Sequence, residues 1–154
     1  MKIENMKIEK MIKELSFFQE DKVIPISVDF DSTLITASYP SVGEPNGSCV
    51  SILKHWVETY NVGIILHTMR DKKPLEDAIN WFKMYDIPLY GINDNPLQNK
   101  TSSSRKVYSI LDIDDHNVGI PLMYDDKTNK VVVHWEEVND IVEPMLKKIR
   151  EKWN

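Results

Sequence analysis

Four short apolar runs, separated by helical patterns, constrain this chain more than any other feature of it. Residues 23–30 (VIPISVDF), 62–68 (VGIILHT), 87–91 (IPLYG) and 108–113 (YSILDI) have strand length and little of the polar alternation of a sheet with one wet face. They read as strands buried on both sides. Between the first two, Ser48 stands where a cap would, ahead of Ile52, Leu53, Trp56, Val57 and Tyr60 at helical spacing. A second helix is predicted to open near Pro74, with Leu75, Ala78, Ile79 and Phe82 turned inward. The alternation predicts right-handed βαβ units and a three-layer, Rossmann-like α/β domain around a mainly parallel sheet. Residues 122–124 and 130–135 flank the turn-like DDKTN and predict an antiparallel hairpin. A last helix places Val138, Ile141, Val142, Met145 and Ile149 on its core face, and Pro144 is expected to kink it or mark a late start.

At 154 residues the chain has the size of one domain, spanning 1–154. Residues 1–20 form an amphipathic pattern, with Ile3, Met6, Ile8, Met11, Ile12, Leu15 and Phe18 along one stripe and Lys and Glu elsewhere. That helix is expected to pack on the domain or on a second copy, which makes it the candidate contact of a homo-oligomer. The interrupting charges exclude a signal peptide or membrane span, so no membrane association and a cytoplasmic protein are expected. The net charge of −5 gives no field for general nucleic-acid binding. The single Cys49 excludes an intramolecular disulfide.

Ligands of open α/β sheets bind beyond the carboxyl ends of the strands. The first strand ends in Asp29, Phe30, Asp31, Ser32 and Thr33, the second in Thr68, Met69 and Arg70, and the fourth in Asp114 and Asp115. Four carboxylates on one rim repel one another. A hard, oxygen-seeking cation relieves this, and Mg²⁺ suits a site that shares one or two carboxylates with a phosphate. Side chains two apart on an extended chain point the same way, so Asp29 and Asp31 can face one substrate. One can attack phosphorus while the other moves the proton. Lys106 could neutralise the transferring phosphoryl oxygens and Thr68 could donate a hydrogen bond to them. His67, on the other face of its strand from Thr68, reads as a core or supporting histidine, and Trp56, Trp81 and Trp135 read as packing residues.

The ordered set DFDST, Thr68 in HTMR, Lys106 in SSSRK and IDDHN at residues 113–117 resembles the four motifs of the haloacid dehalogenase superfamily. The resemblance covers most of the chain, from about Val23 to Asn117. It implies Asp29 as nucleophile, Asp31 as general acid/base, and Thr68 and Lys106 as phosphate-holding catalytic residues. It further implies a Mg²⁺ site of Asp29, the Asp31 carbonyl and Asp114 or Asp115. Ser32, Thr33, Met69, Arg70 and Arg105 are the expected substrate-binding residues. Similar members have Gly where Ser32 stands and often Arg where His116 stands. Dehalogenases do not need the second aspartate, so Asp31 favours phosphate chemistry.

Neither long gap between motifs has room for a cap domain, which needs on the order of 50 residues beyond the helices already there. The chain resembles the capless members. Substrate choice would then rest on rim residues 39–46, 91–95, and Lys100 with 102–105. The expected function is Mg²⁺-dependent hydrolysis of a phosphomonoester, small or on the exposed end of a larger molecule. The alternatives are a polynucleotide end-phosphatase, a catalytically silent protein that binds a phosphorylated ligand, and a metal nuclease.

Overall fold

In the computed structural model, which describes residues 2–154, β-branched and apolar residues crowd two central strands that see no water. The chain runs α1 (Lys2–Phe18), β1 (Ile24–Val28), α2 (Cys49–Tyr60), β2 (Val62–Leu66), α3 (Lys72–Met84) and β3 (Leu89–Ile92). A 3-10 turn (Gln98–Lys100), β4 (Leu111–Ile113), β5 (Leu122–Asp125), β6 (Lys130–Val133) and α4 (Trp135–Lys152) complete it. β1 and β2 are buried at every position, the pattern of strands covered on both faces. The sheet order is β3-β2-β1-β4, all parallel, and β5 pairs with β6 in a separate antiparallel hairpin. This is a three-layer, Rossmann-like α/β arrangement, as the alternation of runs predicts.

Large side chains fill the space between sheet and helices. Phe30 meets the edge of Trp81 at 5.5 Å, and Trp56 lies 5.9 Å from Trp135 while its indole N–H donates to Asn139 Oδ1 at 2.8 Å. The three tryptophans named from sequence are thus core residues. α1 buries Ile8, Met11 and Leu15 and packs on α4, and Phe18 stacks on Tyr108 at 4.4 Å. The apolar stripe of the N-terminal helix is covered by its own chain, apart from the exposed Ile3 and Met6.

Local expectations are corrected at several ends. Ser48 makes no side-chain cap; with φ −92° and ψ 18° its carbonyl instead receives the Ser51 hydroxyl at 3.0 Å. α2 stops at Asn61, whose left-handed φ of 55° lets its N–H reach Trp56 O. Pro144 does not mark a late start: α4 begins nine residues earlier at Trp135, capped by His134 Nδ1 accepting from Glu137 N at 3.2 Å. Ile141 is 56% exposed, since it borders a groove between α1 and α4.

From β1 to α2 the chain crosses only residues 29–48, and from β3 to β4 only residues 93–110, so no inserted domain stands over the carboxyl rim among the described residues. No described helix is long and apolar enough to cross a membrane.

At the end of β3 the backbone folds back closely on itself. A Cβ built on Gly91 would stand 2.0 Å from the Asp94 carbonyl oxygen, and that oxygen belongs to backbone that must move for a side chain to fit. Replacing Gly91 by Ala is expected to cost about 1–3 kcal/mol of stability by overpacking, read as a lower urea midpoint; an unchanged midpoint would contradict this backbone approach.

Candidate functional site

Strand register builds the rim. Val28 pairs with Leu66 on one side and Ile113 on the other, so the next residues, Asp29, His67 and Asp114, emerge side by side. Asp29 N donates to Ile113 O and His67 N to Val28 O, both at 2.9 Å. Beyond Asp29 the chain turns at once: Phe30 O accepts from the amides of Thr33, Leu34 and Ile35. The turn needs a left-handed residue, and Ser32 takes it with φ 60°. Glycine adopts that conformation without a Cβ clash, which is the physical reason it suits this position.

The loop that follows Asp29 is braced from the far end of the chain. Ser32 O accepts from Val133 N at 3.1 Å, and Thr33 O from Asn46 Nδ2 at 2.9 Å and Trp135 Nε1 at 2.7 Å. Asn46 also donates to Val133 O at 2.8 Å and is buried, so this last residue of the expected rim segment is a strut. Thr33 departs from its expected substrate-facing role. It is fully buried, donates its hydroxyl to Asp29 Oδ2 at 3.1 Å and accepts from Asp115 N at 3.2 Å. One threonine hydroxyl therefore ties the first carboxylate to the loop carrying the last.

Asp29 carries the electrostatic cost of the rim. Its partial burial, the neighbouring Asp114 charge and a hydrogen bond with the Asp115 side chain push its pKa up to about 7, against the opposing bonds from Thr33 and the backbone. The folded state consequently takes up a proton that the unfolded chain has already lost. That contribution to stability is full below pH 3.8 and disappears as pH rises through about 7. Asp29→Asn removes it, so without divalent cations the Tm of Asp29→Asn minus that of wild type should grow from pH 4 to pH 8. A difference that stays flat would contradict the crowding.

Asp31 is held differently. Arg70 Nε donates to its Oδ2 at 2.9 Å and Nη2 to its Oδ1 at 2.7 Å, the two-pronged arginine fork. The remaining donors of Arg70 go to the carbonyls of Pro40 at 3.1 Å, Pro74 at 3.2 Å and Ser41 at 2.8 Å, so all five N–H groups are engaged. Phe30 and Tyr39 cover the guanidinium from 4.8 and 5.2 Å. Arg70, expected to bind substrate, is instead a buried clamp between Asp31 and residues 39–41. Arg70→Met should cost about 3 kcal/mol in urea unfolding, since it leaves the Asp31 carboxylate and three carbonyls without their partner; a loss below about 1 kcal/mol would contradict the clamp.

Thr68 lies at the end of β2, clasped by Asn93 of the expected rim segment 91–95. Asn93 Oδ1 accepts from Thr68 N at 2.9 Å and Asn93 Nδ2 donates to Thr68 O at 3.1 Å. Thr68 Oγ1 accepts from Arg70 N at 3.1 Å, which leaves its hydroxyl proton free to donate outward. A cleft of about 310 Å³ opens on the rim, lined by Asp29, His67, Arg105, Lys106, Asp114 and Asn117 among others. His67 is thus an exposed wall of the cleft and not a core residue. Lys106 and Arg105 are exposed and face it, while Met69 is 99% exposed and is not part of its lining.

The donor set fits a hard cation. Asp114 and Asp115 are half-buried beside Asp29, and one ligand atom from each of Asp114, Asp115 and His116 lies within 4.8 Å of the others. Oxygen donors dominate, as Mg²⁺ requires. Asp114 Oδ1 already accepts from His116 N at 2.9 Å, which orients that carboxylate, and His116 Nε2 lies 3.6 Å from Asp115 Oδ2.

No protein-family model matches the chain, and no curated protein matches it. Among solved structures it is similar to a conserved protein from Bacteroides thetaiotaomicron, at 29% identity and a TM-score of 0.63. The match covers 79% of this chain and 91% of that one, and it supports the α/β architecture described above.

Proposed function

We propose that the chain is a Mg²⁺-dependent phosphomonoester hydrolase that works through an aspartyl phosphate on Asp29, as its resemblance to capless members of the haloacid dehalogenase superfamily implies. The observation that carries this reading is the rim itself: a half-buried carboxylate at the tip of the central strand, two further carboxylates beside it and Lys106 on the same cleft. Asp29, the Asp31 carbonyl and Asp114 or Asp115 would hold the cation. When bound, Mg²⁺ supplies charge neutralisation for the rim carboxylates and the phosphoryl oxygens.

Within this reading an Asp29 oxygen attacks phosphorus, and the bond from phosphorus to the ester oxygen breaks, its electron pair leaving with that oxygen. Asp31 gives the leaving oxygen a proton. In the second half Asp31 takes a proton from water, the water oxygen attacks phosphorus, and the bond to Asp29 breaks to free inorganic phosphate. The Arg70 fork occupies one lone-pair direction on each Asp31 oxygen, so the carboxyl keeps others for the proton it moves. Lys106 and the Thr68 hydroxyl hold the phosphoryl oxygens against the nucleophile. Thr33 keeps the attacking carboxylate aimed by its bond to Oδ2.

Phosphate release from sugar phosphates, nucleotides and phosphorylated oligonucleotide ends tests this, with Mg²⁺ or chelator. Turnover should require Mg²⁺ and fall to background in Asp29→Asn, while Asp31→Asn should lose about 10²–10⁴-fold in kcat. Silence of the wild type across the panel, with retained binding of inorganic phosphate, would replace the enzyme with a phosphate-binding protein. Cleavage inside an oligonucleotide that survives Asp29→Asn would replace it with a nuclease.

A further inference from the structure

Behind Lys106 lies a line of buried side-chain amides that the proposed reaction does not use. Gln19, Asn95 and Gln98 are all but inaccessible to water, an unusual location for three uncharged polar side chains with strong hydrogen-bonding needs. Asn95 Nδ2 donates to Gln19 Oε1 at 2.7 Å and to Tyr108 O at 3.1 Å, while Asn95 Oδ1 accepts from Leu97 N at 3.0 Å. Gln98 Nε2 donates to Ser104 O at 3.0 Å and to Lys106 O at 2.6 Å, and Gln98 Oε1 accepts from Tyr108 N at 2.7 Å. The amide of Gln98 therefore grips three backbone groups within five residues, one of them on Lys106 itself.

That grip matters because the stretch between Ser102, whose N–H donates to Gln98 O at 2.9 Å, and Tyr108, on which Phe18 stacks at 4.4 Å, contains Lys106 and has no regular structure of its own. Residues 101–110 belong to no strand or helix, and TSSS at 101–104 brings no apolar anchor. Lys106 is exposed, and an ammonium on a four-carbon stem is placed only as well as its backbone root. Ser104 Oγ accepts from Lys106 N at 3.2 Å, but Ser104 is itself held through its carbonyl by Gln98. At the other end of the line, Gln19 follows directly on α1 and also donates to Asp21 Oδ1 and the Tyr90 hydroxyl, each at 3.1 Å.

We infer that Gln98 is the positioning residue for Lys106, and that Gln19 and Asn95 extend its support to the end of the N-terminal helix. The inference rests on the phosphatase reading, in which Lys106 holds the phosphoryl group. Gln98 touches no substrate; it acts through the backbone of residues 104–108. A misplacement of the lysine by about 1 Å suffices to cost on the order of 10²-fold in rate.

The test is a double-mutant cycle on the preferred ester, with Gln98→Met and Lys106→Ala alone and together. Methionine keeps the length and apolar stem of glutamine and removes its donors. Gln98→Met should lower kcat/KM by about 10- to 100-fold in the wild-type background, yet by no more than about 2-fold once Lys106 is already Ala. Equal losses in both backgrounds would mean a general structural role and overturn the inference. A wild type with no turnover would count against the phosphatase reading, whereas additive losses in an active enzyme count against Gln98 alone.

Amide hydrogen exchange on the wild-type protein covers the case in which Gln98→Met does not fold. The Tyr108 amide, bonded to Gln98 Oε1, should exchange far more slowly than that of Arg105, which has no such partner among the described residues. Tyr108 exchanging as fast as Arg105 would overturn the inference whether or not any ester is hydrolysed.

Discussion

The burial of Asp29 beside Asp114 and Asp115 is the constraint on which the rest of the site depends. β1 is wedged between β2 and β4, so the residue after its last pair has nowhere to go except the rim between them. Placing a carboxylate there, partly out of water and beside others, raises its pKa to about 7 and costs folding stability at neutral pH. Thr33 offsets part of that cost by donating to Asp29 while accepting from the Asp115 backbone. A bound divalent cation would offset more. Stability is given up where charge is concentrated, the usual condition of a site that handles anions or cations.

A second charge is managed by the opposite device. Asp31 meets a guanidinium whose every donor is engaged and which lies over the rings of Phe30 and Tyr39. Two aspartates separated by one residue thus have unlike surroundings: burial beside the Asp114 charge for Asp29, a rigid cationic partner for Asp31. Unlike surroundings for paired carboxylates are what separate the work of a nucleophile from that of a proton carrier. With no inserted domain above the rim among the described residues, contacts from below must supply the rigidity, and they come from β6, the start of α4 and the buried Asn46.

Much of this was legible in the sequence. All four continuous apolar runs read as strands covered on both faces; β1 and β2 are so covered, whereas β3 and β4 are edge strands and only partly buried, and the residues following such runs fall on the rim by geometry alone. The roles of Arg70 and Thr33 were not legible, because chemistry-bearing residues beside a site look the same in sequence whether they face the ligand or each other. Arg70 is buried only because the loop at residues 39–41 folds back to meet it, a long-range contact that no local pattern encodes. Asn93 and Asn95 fall in the segment 91–95 expected to form a substrate rim, and Gln98 was missed, for a related reason: side-chain amides have no periodicity that separates a supporting group from one that faces a ligand. The left-handed φ of Asn93 and the near-contact at Gly91 mark how tightly that stretch is folded.

The proposed chemistry makes one demand that binding, scaffolding or water activation by a metal does not: a covalent bond between phosphorus and Asp29. Acid-quenched mass spectrometry of the protein during turnover of a phosphomonoester, followed by peptide mapping, reads that bond directly. The account predicts one phosphoryl group on the peptide containing Asp29, removed by hydroxylamine and absent from Asp29→Asn. Sustained phosphate release with no label at Asp29 under these conditions, or with the label on another residue, would contradict it.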